Sequence, residues 1–436
     1  MTEAADGHPE KLGGARLIEV RPLERLTKVI PLELGEIALE IDAFFRNVHV
    51  RRLARRIVQH PLGQPFRLDR VHRFERVRAF EWPDAPEGGG WGYGTELSTM
   101  KEIVEYWLHG YDWYREQEIM NRLPHFTARV RDLDIHFIHL RSSAPKRRPL
   151  IITHGWPGSF VEFMNVMEPL AYPEKHAGAA SDAFDIIVPS MPGYGFSGKP
   201  AKPMSPRSVA SYFDELMVGT LGYSNYIAQG GDWGSSVSGW LGYEGRGCKA
   251  VHLNMLGWRS PGVVSETAEE KQAEQQFQML FDMEGAYFRL QSTKPLTLSY
   301  GMMDSPVGAA AWIIEKFKGW SDLDDGKLES VYTKDQLLTN VMIYLVTRTF
   351  GTASWMYRGL FEDPGKPIPP KSRVEKPVAI ARFPVDLIPF PPRSMVEKHL
   401  NVVRWSEFKR GGHFAAMERP QDFIEDVRAF GRELDG

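Results

Sequence analysis

The chain has 436 residues, 42% of them apolar and 25% charged, with a formal net charge of -3 and one cysteine, Cys248. That length buries a large core, as one big domain with additions or as two domains. The near-balanced charge gives no global pull toward nucleic acid or an anionic membrane, and a lone cysteine excludes an intrachain disulfide framework and fits a reducing compartment. No run approaches the ~18 apolar residues of a membrane helix. The opening MTEAADGHPEKLGGAR lacks the apolar region of a signal peptide. It reads as a disordered lead-in, and the expected setting is the cytoplasm.

In chain order, residues 17 to about 130 read as helical and charged. LELGEIALEIDAFFRNVHVRRLARRIV sets apolar residues at helical spacing, and STMKEIVEYWLHGYDWYREQEIMNRL repeats the pattern with Ser98 or Thr99 as an N-cap. Between them WPDAPEGGGWGYGTE is a Pro/Gly-rich loop. Arg51, Arg52, Arg55, Arg56, Arg67, Arg70, Arg73, Arg76 and Arg78 are interspersed with acids in a chain that is not basic. They read as solvated helix faces and interface salt bridges rather than as a nucleic-acid patch.

From residue 133 short β-rich runs alternate with helical ones: LDIHFIHLR, PLIITH, FDIIVPS, a helix from Ser205 to Leu221, then NYIAQ. A helix follows, then KAVHLNM, a long helical interlude over about 259–350, PVAIARF, VVRWSEF and a last helix from about Pro420. Strands separated by helices imply a mostly parallel sheet covered on both faces. The expected division is a helical N-terminal extension over 1–130, sheet-domain parts over 131–258 and 351–436, and a helical cap inserted between them over 259–350. Cys248, in EGRGCKAVHL, reads as a packing residue at the start of a strand.

The strand ends carry the chemistry. PLIITH runs into His154-Gly155-Trp156-Pro157-Gly158, FDIIVPS into Pro192-Gly193-Tyr194-Gly195-Phe196-Ser197, and NYIAQ into Gly230-Gly231-Asp232-Trp233-Gly234. PVAIARF leads to Asp386, and VVRWSEF to Gly411-Gly412-His413. Functional groups of parallel sheets gather at the C-terminal ends of strands. The order nucleophile, acid, histidine is that of α/β-hydrolase triads, and Gly230, Asp232 and Gly234 fill the frame of a nucleophile elbow. An aspartate before Trp-Gly can also be a helix N-cap, and His413 can be a core histidine, but neither accounts for five functional strand ends in this order. Glu375 and Glu407 compete with Asp386 for the acid's place.

An aspartate on the elbow has a chemical reading. A serine attacking a saturated carbon leaves an ether, which a histidine-activated water cannot cleave. A carboxylate leaves an ester, which it can. Epoxides, haloalkanes and activated C–halogen acids are the electrophiles that fit. His136 and His139, at odd spacing on one strand, face opposite ways and form no joint metal pair. No Cys/His/Asp cluster has metal-ligand spacing, so neither metal nor cofactor is expected.

With WYREQEIMNRLPHF, HGWPGSFVEF, PSMPGYGFS, QGGDWGS, HLNM, TKPLTLSYGMMDSPVGAAAWIIEKF, LLTNVMIY and RGGHFAAMERP in place, the chain resembles the microsomal-type epoxide hydrolase family of the α/β-hydrolase superfamily. That family includes juvenile-hormone epoxide hydrolases and soluble fungal and bacterial relatives. The resemblance covers roughly the last three quarters of the chain; the N-terminal region matches more loosely and lacks the membrane anchor of animal members. It implies Asp232 as nucleophile, His413 as general base and Asp386 as its orienting acid. It also implies two cap tyrosines that donate to the epoxide oxygen: Tyr287 before the TKP motif, with Tyr300 as competitor, and Tyr357 in ASWMYRG, with Tyr344 as competitor. The oxyanion donors would be the backbone N–H groups of Trp156 and Trp233, since Pro157 has none.

The partners implied are an apolar epoxide and water, with no nucleic acid and no membrane anchor, and with a homodimer left open. The rival enzyme is a haloalkane dehalogenase with the same aspartate, Trp233 and Trp156 then serving the halide. Paired tyrosines argue against it, because a halide leaves without a proton. The rival from another class is an α/β-hydrolase that only binds ligand; a full set of functional groups argues against that one.

Overall fold

The computed structural model describes residues 57–59, 74–363 and 367–435. The expected lead-in, nearly all of the first helical run, and Arg51, Arg52, Arg55, Arg56, Arg67, Arg70 and Arg73 lie outside the described residues. Arg76 is within them and pairs with Asp304 Oδ1 at 2.9 Å, an interface salt bridge of the kind expected.

The apolar runs form one sheet of nine strands among the described residues: β1 Ile57–Gln59, β2 His125–Val130, β3 Leu133–Leu140, β4 Arg148–Thr153, β5 Phe184–Pro189, β6 Tyr226–Gly230, β7 Cys248–Leu253, β8 Val374–Arg382 and β9 Leu400–Glu407. Their spatial order is β1-β2-β3-β5-β4-β6-β7-β8-β9. The pairs from β1 to β5 are antiparallel and all others parallel. Burial follows position. Central β5 and β6 are buried at every residue, as a strand covered on both faces requires, while edge strand β9 is buried only at Leu400. Cys248 is fully buried. On β3, His136 meets His125 at 2.9 Å and His139 meets Tyr223 at 3.0 Å, one on each face.

Two expected boundaries move. HFTARV, read as part of a helical extension, is β2 and pairs along its whole length with β3, so the sheet begins before residue 130. The interlude yields six α-helices, Ala268–Glu284, Ala286–Thr293, Pro295–Asp304, Pro306–Trp320, Lys334–Thr347 and Phe350–Glu362. The last packs on Ala286–Thr293 and Pro295–Asp304, so the cap runs to Glu362 rather than to residue 350. Capping boxes at Thr267/Glu270 and Thr333/Gln336 start two of these helices.

The N-cap expectation also changes. The helix Leu97–His109 starts after Glu96, and the Thr99 hydroxyl donates to the Glu96 carboxylate at 2.7 Å instead of capping. Gly110 breaks the run, and Asp112 caps Trp113–Met120 by accepting from Tyr114 N at 2.9 Å. None of the described helices is long and apolar enough to cross a membrane.

Candidate active site

The elbow follows central strand β6. Asp232 adopts φ 47, a left-handed conformation that costs a non-glycine residue roughly 1–3 kcal/mol and persists where the surroundings enforce it. The turn is tight because its neighbours have no side chain. A Cβ on Gly234 would lie 1.9 Å from Thr153 O at the end of β4, and one on Gly155 would lie 2.2 Å from Asp232 Oδ1. Substituting either residue pushes the carboxylate or its helix away from the loop.

That loop is the HGWPG segment after β4. Trp156 N–H donates to Asp232 Oδ1 at 2.7 Å, and the Trp233 N–H also faces the carboxylate. Three anchors hold the loop. His154 Nε2 accepts from Met191 N at 3.2 Å, so its Nδ1 is the donor to Gly155 O at 3.0 Å. Asn340 Nδ2 donates to Pro157 O at 2.8 Å, and the Tyr344 hydroxyl donates to Gly158 O at 2.6 Å. The Trp156-Pro157 peptide is cis.

His413 follows β9 and Asp386 follows β8. His413 Nδ1 lies 2.8 Å from Asp386 Oδ1, and its Nε2 lies 3.6 Å from Asp232 Oδ2. Its own N–H donates to Trp320 O at 2.9 Å, and its ring packs on Trp320 at 4.9 Å. The three predicted triad residues thus come together from three strand ends. The competing acids do not join them, since Glu375 pairs with Arg373 and Glu407 with Arg382 on the surface.

Burial pulls the His413 pKa down, but the Asp386, Asp232 and Glu162 carboxylates more than offset it and raise the pKa to about 9. The resting site therefore holds an imidazolium between two carboxylates. Burial pushes the Asp232 pKa up, against His413 and the two backbone N–H groups, and the net direction is upward.

Tyr287 and Tyr357 descend from the cap. Their rings lie 5.9 Å apart, Tyr287 stacks on Trp156 at 5.4 Å, and Tyr357 meets Trp233 edge-on at 4.8 Å. Both phenols are pushed well above their usual pKa by burial, with the Asp232 charge adding to the shift. The competitors lie elsewhere: Tyr300 is 73% exposed, and Tyr344 is committed to the loop. Trp156, Trp233, Tyr287, Phe288, Trp320 and Tyr357 make the walls of this space aromatic.

Sequence reasoning missed Glu162. It sits in the turn Phe160–Phe163, accepts the Gly155 N–H, and a Cβ on Gly158 would fall 1.4 Å from its Oε1. Loss of solvation pushes its pKa to about 8, with His413 lowering it and Asp232 raising it. The only sequence signal is an acid four residues after Gly158, which is also an ordinary first-turn placement.

Comparison with known proteins gives the following. The family described as Epoxide hydrolase N terminus matches residues 66–163, and the alpha/beta hydrolase fold matches residues 148–314. Epoxide hydrolase 1 of Oryctolagus cuniculus is 35% identical over 83% of this chain and 85% of its own length. The juvenile hormone epoxide hydrolase structure from Bombyx mori is 29% identical, with TM-score 0.78, over 87% of this chain and 96% of that chain. The Aspergillus niger epoxide hydrolase structure is 31% identical, with TM-score 0.74, over 86% and 96%.

Proposed function

Since this chain belongs to the epoxide hydrolase family and converts epoxides with water to diols, we propose that it does so through a covalent ester on Asp232. The observation that carries this reading is the Asp232 carboxylate itself. One oxygen is held by Trp156 N–H at 2.7 Å, and the other faces His413 Nε2 at 3.6 Å under two phenols. In our reading Oδ2 attacks an epoxide carbon. The C–O electron pair moves to the epoxide oxygen, which takes a proton from Tyr287 or Tyr357 and so never becomes a free alkoxide. Oδ1 stays as the ester carbonyl between the Trp156 and Trp233 N–H groups.

Water then attacks this carbonyl. His413, oriented by Asp386, takes the water's proton, and the oxyanion forms where the two N–H groups already point. The ester collapses to carboxylate and diol; His413, having passed its resting proton to the phenolate before the water step, is again the imidazolium it began as. One epoxide and one water give one vicinal diol. The aromatic walls support an apolar epoxide as the substrate.

The experiment separates the two halves. His413→Ala given an epoxide should accumulate the ester, gaining the mass of one epoxide, with the adduct mapped to Asp232. Asp232→Ala should form no adduct and no diol. An adduct on Ser235, or none in a folded His413→Ala protein, refutes the reading. Chloride release measured beside diol formation tests the haloalkane rival in the same samples.

A further inference from the structure

The cap helix Pro306–Trp320 buries a lysine against the site. The Lys316 side chain is 6% exposed. Its ammonium lies 4.6 Å from the centre of the Tyr287 ring, 5.8 Å from that of Trp320 and 5.9 Å from that of Trp312. Trp312 and Trp320 lie four residues to either side on the same helix, so one helical face and Tyr287 together enclose the charge. The ammonium donates to Glu315 Oε1 at 2.7 Å. An enclosed ammonium is costly, and one carboxylate and three ring faces only partly offset the lost water. If the position required only packing, Met would fill the same volume without that cost.

We propose that Lys316 is a positioning residue for ring opening: its ammonium stabilises the phenolate character that Tyr287 acquires as its proton passes to the epoxide oxygen. The inference rests on reading Tyr287 as a proton donor. Around this phenol, the charges of Asp232, Asp386 and Glu315 all oppose loss of the proton, and the contact with Tyr357 favours it. Lys316 places a positive charge against the ring face on the favourable side of that balance. Trp320, which shares the cage, also holds His413 through its carbonyl and its ring. The test must therefore separate a charge effect on Tyr287 from a packing effect on His413.

Single-turnover kinetics resolves alkylation from ester hydrolysis. Lys316→Met should slow alkylation about 10- to 100-fold, the scale of a partly developed charge on the phenol at this distance from the ammonium, and leave hydrolysis unchanged. Lys316→Arg keeps the charge and should recover most of the alkylation rate. In a Tyr287→Phe background, Lys316→Met should cost nothing further, since residues acting through one group are non-additive.

Equal losses in both backgrounds, or an equal loss in hydrolysis, overturn the inference while leaving Tyr287 as donor. Wild-type alkylation in Tyr287→Phe overturns the donor reading and this inference with it. Should Lys316→Met not fold, Glu315→Gln serves instead. It removes an opposing anion and keeps the ammonium, so alkylation should be unchanged or faster. Slower alkylation overturns the proposal.

Discussion

Esterification of Asp232 should convert His413 from an acid into a base. In the free protein the imidazole has Asp232 Oδ2 3.6 Å from Nε2, and its pKa stands at about 9. Alkylation turns that carboxylate into a neutral ester. A unit charge at 3.6 Å and an effective dielectric of about 20 is worth roughly 4–5 kcal/mol. The two side chains are only 5% and 15% exposed, so little of this is lost to solvent screening. At 1.36 kcal/mol per pH unit this is roughly three pH units, which puts His413 near pH 6 in the ester.

Water activation should then be available at neutral pH only after alkylation. Rapid mixing with tryptophan fluorescence, reported by Trp156, Trp233 and Trp320 around the site, should give two phases across pH 5–10. The hydrolysis phase should rise with a midpoint near pH 6, whereas direct titration of His413 in the free protein should give a midpoint near 9. A hydrolysis limb with its midpoint at the free-protein value refutes the reasoning. So does an Asp386→Asn variant whose limb does not move downward, because Asp386 is the strongest of the anions that raise this pKa.

Further outcomes follow from the same geometry. Tyr287→Phe and Tyr357→Phe should each slow alkylation by at most about 10²–10⁴-fold, and the double variant should nearly abolish it; wild-type rates in the double variant contradict the paired-donor reading. Gly155→Ala places a Cβ 2.2 Å from Asp232 Oδ1. It should cut alkylation at least about 10²-fold, the scale of an ångström misplacement, while circular dichroism stays native. His413 has its pKa raised from 6.5 to about 9, so its contribution to stability is complete below pH 6.5 and is lost as pH rises through 9. Thermal melts of the wild type and His413→Gln should therefore draw together over that window, and a gap that widens contradicts the assignment.

The alternation of strands and helices was legible because the central strands are buried on both faces and leave short apolar runs such as IIVP. β2 was hidden because its burial does not alternate: HFTARV is buried at His125, Ala128 and Val130, exposes Arg129, and starts a short turn after the helix Trp113–Met120. The triad was legible because each member follows a strand end, Asp232 and His413 beside glycines and Asp386 in a proline-rich turn. Glu162 and Lys316 were not. Each is an acid or a lysine in an amphipathic run, and what distinguishes them is the company of residues distant in the chain: Asp232 and His413 for Glu162, Tyr287 for Lys316. The cap boundary was misjudged because nothing local to Phe350–Glu362 records that its partner is Ala286–Thr293.

That last helix pair has an evolutionary consequence. The nucleophile, acid and base hang from β6, β8 and β9, while both phenols ride on two helices packed on each other, inside a segment that enters and leaves the sheet domain between β7 and β8. The two halves of the chemistry can therefore be inherited and altered separately. Drift in the inserted helices changes which leaving groups can be protonated without disturbing the ester-hydrolysing centre. A lineage that lost both phenols would keep a centre able to displace groups that leave without a proton. The seam between new and old specificities should then lie at the segment's two junctions, between Leu253 and Ala268 and between Glu362 and Val374.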